Sequence, residues 1–342
     1  MKKILITGSS GFIGSNLTQV LHDGKYRVFG VDLRPPRFYP PDEFMPLDIR
    51  DQKRMEQIIR DIKPDCILHL AAVSTIQKGV SDPDSTWDVN VNGTHAVLNA
   101  VEASGLKPNI VYVSTDKVYG PMPGNTGKYT EDMPIQPLRN SPYDSSKAEA
   151  DRLAYSFFLR LPVTILRLCN IYGPCDTNLE RIVPANVHAM LAGRPGRLNR
   201  YRDTTGLIHN FYRDMLYVGD LCTAFSLLLK ALETDVGRFS GQIFNIGAPE
   251  CLSMEKVIAE IQRSVGCDLP PEINYVDADN ELDMQSMNFE KATKLLGFSP
   301  VTKFPDGIQK TVGWWRANSA ASGAQSFPVN HDTEVNGFDS LQ

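Results

Sequence analysis

Tyr143 and Lys147 stand four residues apart in SPYDSSKAEADRLA, a stretch with the pattern of a helix. Side chains at that spacing share one helical face. An ammonium beside a phenol favours the phenolate, and a phenolate can take the proton of a substrate hydroxyl. A YxxxK pair is also common on helix surfaces with no such task, so its setting decides. A second cluster closes the apolar run 110–113 in VYVSTDKVYG, where Ser114, Thr115, Asp116 and Lys117 bring together hydroxyls, an acid and a base. Such a set can give one proton and take another. Asp116 serves as the acid only if it holds its proton at the right step, and Lys117 as the base only if burial and the neighbouring Lys147 depress its pKa. The competing reading is a surface ion pair at a loop edge. Successive residues leaving a strand point to opposite sides, so both can face one substrate only if the chain turns there.

The elements that must position these groups are legible as an alternation. Short apolar runs at 3–7, 27–31, 66–70, 110–114 and 163–168 are separated by helical patterns at 12–22, 52–62, 87–103 and 143–160. Strand–helix alternation predicts a parallel sheet with helices on both faces, and continuous apolar strands fit a sheet buried on both sides. In the first strand–helix turn, ILITGSSGFIGSNL, Gly8 allows the tight turn, Gly11 the close approach of a pyrophosphate and Gly14 the packing of helix on sheet. The spacing is GxxGxxG, a variant of the dinucleotide fingerprint, and a glycine trio alone could be a plain loop. Asp32 ends the second strand at roughly the ~20-residue distance where a carboxylate binds ribose hydroxyls. It should repel a 2′-phosphate, which favours NAD over NADP, with Arg34 and Arg37 as the contrary signs. The fold expected is α/β: a Rossmann-type doubly wound parallel sheet with a smaller C-terminal α/β substrate-binding domain.

After about residue 173 the texture changes. Helices are expected at 181–192, at 219–232 and from about 253, with strands in MLYV and QIFNIG. We divide the chain into a cofactor domain (1–173), a mostly substrate-binding domain interleaved with the last sheet strands (174–317), and a polar, disordered tail (318–342). The arginine-rich GRPGRLNRYRD, with Arg194, Arg197, Arg200 and Arg202, reads either as a solvated loop or as a phosphate clamp with Arg181 nearby.

Composition limits the alternatives. The 342 residues are 42% hydrophobic and carry a net charge of −5, so no basic field marks a nucleic-acid binder. Six scattered cysteines without a CxxC pair suggest reduced thiols of a cytoplasmic protein, and no apolar run approaches the ~20 residues of a membrane span.

With the motifs in order, the sequence resembles the extended short-chain dehydrogenase/reductase family, the nucleotide-sugar epimerases and dehydratases. The matching stretches are TGSSGFIG, LDIRD, HLAAVS, NVNGT, STDKVYG, PYDSSK and LRLCNIYGP, over about residues 3–175, with YRDMLYVGDL extending the likeness to about 220. The resemblance implies cofactor contacts at Gly8, Gly11, Phe12, Ile13, Gly14, Asp32, Asp48, Ile49, Leu70, Ala71, Ala72, Ser74 and Cys169, besides Tyr143 and Lys147. It implies Asn170 and Arg213 as ligands of a substrate diphosphate, joined here by Arg181, and a homodimer. In the family's epimerases the hydroxyl residue before VYG is followed by small residues, and in its 4,6-dehydratases by an acid and a base. Thr115-Asp116-Lys117 is similar to the latter, including dehydratases with an Asp-Lys pair. The expected activity is therefore an NAD-dependent nucleotide-sugar 4,6-dehydratase with tightly bound, regenerated NAD: Tyr143, Lys147 and Thr115 for oxidation at C4′, Asp116 as acid and Lys117 as C5′ base. A 4-epimerase, a dehydratase releasing an unsaturated sugar, and a non-catalytic NAD-binding protein are the alternatives. The family's arginine before the last LLG helix is missing from DADNELDMQSM, which leaves the nucleotide base open.

Overall fold

The apolar runs of the first half become parallel strands: β1 (Lys2–Thr7), β2 (Tyr26–Asp32), β3 (Glu43–Pro46), β4 (Cys66–His69), β5 (Asn109–Thr115) and β6 (Val163–Leu168). The second half adds β7 (Asn170–Tyr172), β8 (Arg197–Arg202), β9 (Ile208–Asn210), β10 (Tyr212–Tyr217), β11 (Ile243–Ile246), β12 (Cys251–Ser253), β13 (Glu272–Val276) and β14 (Met284–Gln285). The computed structural model describes residues 1–122, 127–202, 206–276 and 282–321, with side chains to 318.

Seven strands form the main sheet in the order β11–β6–β5–β4–β1–β2–β3, all parallel. Alternate residues feed opposite faces. Ile4, Ile6, Val28, Leu68 and Val111 enter one apolar cluster, and Leu5, Phe29, Val31, Ile67 and Ile110 the other. This is why these strands read as unbroken apolar runs. The strand order reverses at β1, and the crevice beyond the carboxyl ends at such a point is where open α/β sheets bind ligands. Register fixes the rim of that crevice: Thr7 lies beside His69 and Val31, and Thr115 beside Leu168.

Helix starts follow local chemistry. The Asp51 carboxylate accepts from Arg54 N and caps Gln52–Ile62; the Ser141 hydroxyl accepts from Asp144 N and caps Pro142–Ser156, with Pro142 in the first turn. The helix expected over 87–103 is interrupted. Pro83–Trp87 leads into a π-helical turn, Asp88–Gly93, before Thr94–Ser104 resumes. The turn presents Asn90 inward, where its amide accepts from Val73 N and donates to Val73 O and Ser146 Oγ. Such bulges re-aim a side chain without ending the helix. The pattern at 143–160 likewise tightens into a 3₁₀ turn, Phe157–Leu159.

Beyond β6 two small sheets form, β12–β10–β14 with β7 also on β10, and β13–β8–β9. A third apolar cluster around Trp315 packs helices Ile182–Leu191, Met254–Val265 and Phe304–Ala321 against them. The arginine-rich stretch is thus corrected from loop to strand: Arg197–Arg202 is β8, pairing with β13 and β9. Its basic side chains find local partners, Arg200 with Glu255 and Arg202 over the Tyr275 ring. β3, in a proline-rich stretch, had no clear sequence signal. Residues 318–321 of the expected tail belong to the last helix, and 322–342 lie outside the described residues. Residues 277–281 of the acidic stretch lie outside them too. No described helix is long and apolar enough to cross a membrane.

Candidate active site

The glycine loop is built by close backbone contact. Gly8, at φ +73°, would place a Cβ 2.7 Å from Ala71 N, and Gly14 would place one 2.3 Å from the Gly8 carbonyl oxygen. A side chain at either position would push the loop off the sheet. Gly11 is different: its Cβ would meet only the Gly8 oxygen, at 3.2 Å, so the surface above it is open. Helix Phe12–Leu21 starts from Gly11 with no side-chain cap, and Phe12 and Ile13 occupy its first turn. Its leading N–H groups can therefore serve a phosphate. Asp32 closes the neighbouring strand, accepting from Ser10 N at 3.1 Å and Arg34 N at 3.4 Å; partial burial raises its pKa. Leu70, Ala71, Ala72 and Ser74 follow β4 directly, and Ala71 N donates to the Thr7 hydroxyl. These residues fit a dinucleotide: a tight backbone cradle, uncapped N–H groups and a ribose-binding carboxylate on one rim. Asp48 and Ile49 lie after β3. Ile49 is buried, while the Asp48 carboxylate is held by the Arg50 guanidinium at 2.6 Å, which lowers its pKa.

The chemical groups come from two elements. β5 ends at Thr115, and the chain winds at once into a 3₁₀ turn, Asp116–Tyr119, capped by the Thr115 hydroxyl on Lys117 N. The turn that the side-by-side acid and base require is present. Gly120 ends it with φ +66°, and a Cβ there would collide with the Gln136 carbonyl. Asp116 and Lys117 are only 2% and 8% exposed, so they are not a solvated surface pair. The Thr115 hydroxyl donates to Asp116 Oδ1 at 3.0 Å, whereas the buried Oδ2 has no partner among the described residues. Burial raises the Asp116 pKa against the opposing pull of Lys117, Thr115 and Arg213.

Tyr143 and Lys147 lie on helix Pro142–Ser156, both buried. Burial pushes the Tyr143 phenol up, Asp144 and Asp116 push it further, and Arg181 and the Thr115 hydroxyl act against them. Tyr143, Thr115 and Asp116 therefore form one cluster. Lys147 differs from the sequence expectation. Its ammonium donates to Tyr112 Oη at 2.9 Å and to the Val113 carbonyl at 2.8 Å, lies 4.6 Å from the Tyr112 ring centre, and is drawn down to about 8 by burial. Its neighbours on β5 compete for the ammonium, so sharing a helical face with Tyr143 does not make it the phenol's direct partner.

A buried network behind the cluster was not read from the sequence. Asp151, one further turn along the same helix, takes two hydrogen bonds from Arg167 on β6, at 2.8 and 3.0 Å. Arg167 also donates to Tyr119 Oη, which donates to Asn245 Oδ1 on β11, and Tyr129 stacks on Tyr119 with ring centres 4.9 Å apart. The 143–147–151 periodicity was the available sign for Asp151; Asn245 and Tyr129 had none.

On the opposite wall, Cys169 and Asn170 join β6 to β7, and Arg213 sits on β10. Burial raises the Cys169 thiol, with Asp214 and Asp116 adding to it. Among the described residues, the Asn170 Nδ2 is buried without a partner, and so are both amide atoms of Gln285, which faces Arg213 in the β10–β14 register. Arg213, 7% exposed, donates to the Tyr212 carbonyl at 2.9 Å and lies 5.2 Å from the Phe211 ring centre. Arg181, expected as a substrate ligand, meets Asp176 Oδ1 at 3.1 Å and Ser74 Oγ at 2.8 Å, the latter on the cofactor side. Among the described residues, no three His, Cys, Asp or Glu side chains gather into a metal-binding group.

Comparison with known proteins agrees with this geometry. A family described as "NAD dependent epimerase/dehydratase family" matches residues 4–247. A dTDP-glucose 4,6-dehydratase of Xanthomonas campestris pv. campestris is 30% identical, over 92% of this chain and 93% of its own. Among solved structures, dTDP-glucose 4,6-dehydratase of Bacillus anthracis in complex with NAD superposes with TM-score 0.75 at 29% identity, covering 94% of this chain and 98% of the other. UDP-glucuronic acid 4-epimerase of Bacillus cereus, in complex with UDP-glucuronic acid and NAD, gives TM-score 0.78 at 26% identity, covering 92% and 99%.

Proposed function

Because the chain belongs to the NAD dependent epimerase/dehydratase family, we propose that it is an NAD-dependent nucleotide-sugar 4,6-dehydratase. Bound NAD supplies the hydride acceptor for C4′ and the hydride donor for C6′. The protein's own side chains handle the protons. Tyr143 takes the proton of the 4′-hydroxyl, which Thr115 orients. The ketone at C4′ acidifies the C5′ hydrogen. Lys117 removes that hydrogen and returns a solvent-exchanged proton to C5′ when hydride reaches C6′, and Asp116 protonates the departing C6′ hydroxyl.

One observation carries the elimination reading. Asp116 is buried, raised in pKa and short of a partner at Oδ2, on a turn that sets it beside Thr115 and within the field of Tyr143. A carboxyl whose pKa burial raises is better suited to donate to a leaving hydroxyl than one in open water. An epimerase needs no such acid. The epimerase reading has the Bacillus cereus likeness in its favour, and the B. anthracis and X. campestris likenesses make dTDP-glucose the first substrate to test.

Residues 1–173 hold the cofactor and 174–317 mostly the substrate, with Arg213 and Asn170 on its diphosphate. The six free thiols support a cytoplasmic protein, and the homodimer rests on the family resemblance.

The deciding measurement is turnover of dTDP-, UDP-, CDP- and GDP-sugars in D₂O with mass detection. Loss of water with deuterium at C5′ is expected. Inversion at C4′ with no deuterium would overturn the proposal in favour of the epimerase. Asp116→Asn should slow water loss by about 10²–10⁴-fold while bound NAD is still reduced by substrate.

A further inference from the structure

Residues 174–181 cross the start of the glycine-loop helix and are tied down on both sides. At one end, the Asn16 amide, from inside that helix, donates to the Pro174 carbonyl at 2.9 Å. At the other, Arg181 lies 5.8 Å from the Phe12 ring centre and donates both to Ser74, beyond β4, and to Asp176. Asp176 is almost fully buried. Between them Cys175, also buried, takes φ +69°, a backbone conformation that a non-glycine residue adopts only where its surroundings enforce it. The sequence reading groups Arg181 with the substrate's phosphate ligands, yet Ser74 and Phe12 lie on the cofactor side of the crevice.

We propose that Arg181 is a cofactor-retention residue. Its guanidinium fastens the 174–181 segment to the segment after β4, across Phe12, and so closes the glycine loop over bound NAD. The chemistry favours this use. A planar guanidinium can keep one edge on Asp176 while the other engages a hydroxyl or a phosphate oxygen, and retention is what a cofactor regenerated in every turnover requires. The inference rests on the NAD-binding reading of the site.

The test is exchange of bound NAD for labelled NAD in the purified holoenzyme, followed as a first-order rate. Arg181→Ala should exchange about tenfold faster or more, as loss of charge-assisted hydrogen bonds implies. Ser74→Ala, which removes one partner without touching the buried Asp176, should give about threefold. Arg181→Lys, which keeps the charge but not the fork, should fall between wild type and Arg181→Ala. Exchange rates within twofold of wild type for both Arg181→Ala and Ser74→Ala overturn the proposal. So does a raised KM for the nucleotide sugar with unchanged exchange, which returns Arg181 to the substrate. If Arg181→Ala does not fold, Arg181→Lys and Ser74→Ala decide by the same criterion. A wild-type protein that carries and binds no NAD overturns the cofactor reading itself, and the strap with it.

Discussion

The glycine loop and the Asp116–Tyr119 turn both sit at the carboxyl ends of parallel strands, but they are held by different means. The first is held by backbone against backbone: Gly8 on Ala71 and Gly14 on Gly8, with no room for a Cβ. The second is held by side chains from distant segments. Tyr129 donates to the Gly120 carbonyl at 2.6 Å, Arg167 reaches Tyr119, and Asn245 joins both through its amide. A backbone cradle can be specified by glycines at fixed spacing. A side-chain cradle needs the whole sheet to be assembled first. The cofactor end should therefore tolerate changes in the distant network, and the chemical end should not.

The sharpest way to break this contrast is Arg167→Met. It leaves Asp151 buried without its cation, which should cost about 3–5 kcal/mol of stability, measured by urea unfolding. At a temperature where the variant is still folded, NAD should remain bound and water loss should fail. Loss of both together would mean that the two regions are one unit. The converse change, Gly14→Ala, should cost about 1–3 kcal/mol and strip NAD from the purified protein, leaving the far-ultraviolet circular dichroism intact. Retained NAD would show that the loop can move away from the sheet.

The most gradual effect concerns Lys147, held against β5 just before the turn. Burial lowers its pKa from 10.5 to about 8. Between those values the unfolded chain holds the proton and the folded one does not, so this residue's contribution to stability rises with pH from about 8 to 10.5. The slope is about 1.4 kcal/mol per pH unit at most. Wild type should therefore gain on Lys147→Met as pH rises through that window, measured as the difference in unfolding free energy. A constant or shrinking difference would place the charged ammonium in a better-solvated setting than Tyr112 and Val113 provide.

The sequence was informative where a periodicity or a spacing has a direct mechanical meaning. Apolar runs marked the main strands because a sheet covered on both faces is filled mostly by apolar side chains. TGSSGFIG marked the cofactor loop because only glycine fits its contacts. The Tyr143–Lys147 spacing marked the helix Pro142–Ser156. It was poorly informative for β3 and β8, where edge and small-sheet strands bury few residues, and the arginines of β8 concealed a strand. It also misdirected on Lys147. Four residues along a helix put two side chains on one face, but Tyr112 and Val113, one strand away, claim the ammonium.

By itself, then, the sequence determined the parallel α/β architecture, the dinucleotide loop and the side chains proposed for the chemistry, because each follows from local sterics or from chemistry carried by residue type. Tertiary structure alone decided that Asp116 is buried with one oxygen unpartnered among the described residues, that Asp151, Arg167, Tyr119 and Asn245 form one network, and that Arg181 lies over Phe12. Those facts depend on segments far apart in the chain, as between Phe12 and Arg181. Burial and electrostatic coupling arise only when such segments pack, and no local pattern encodes them.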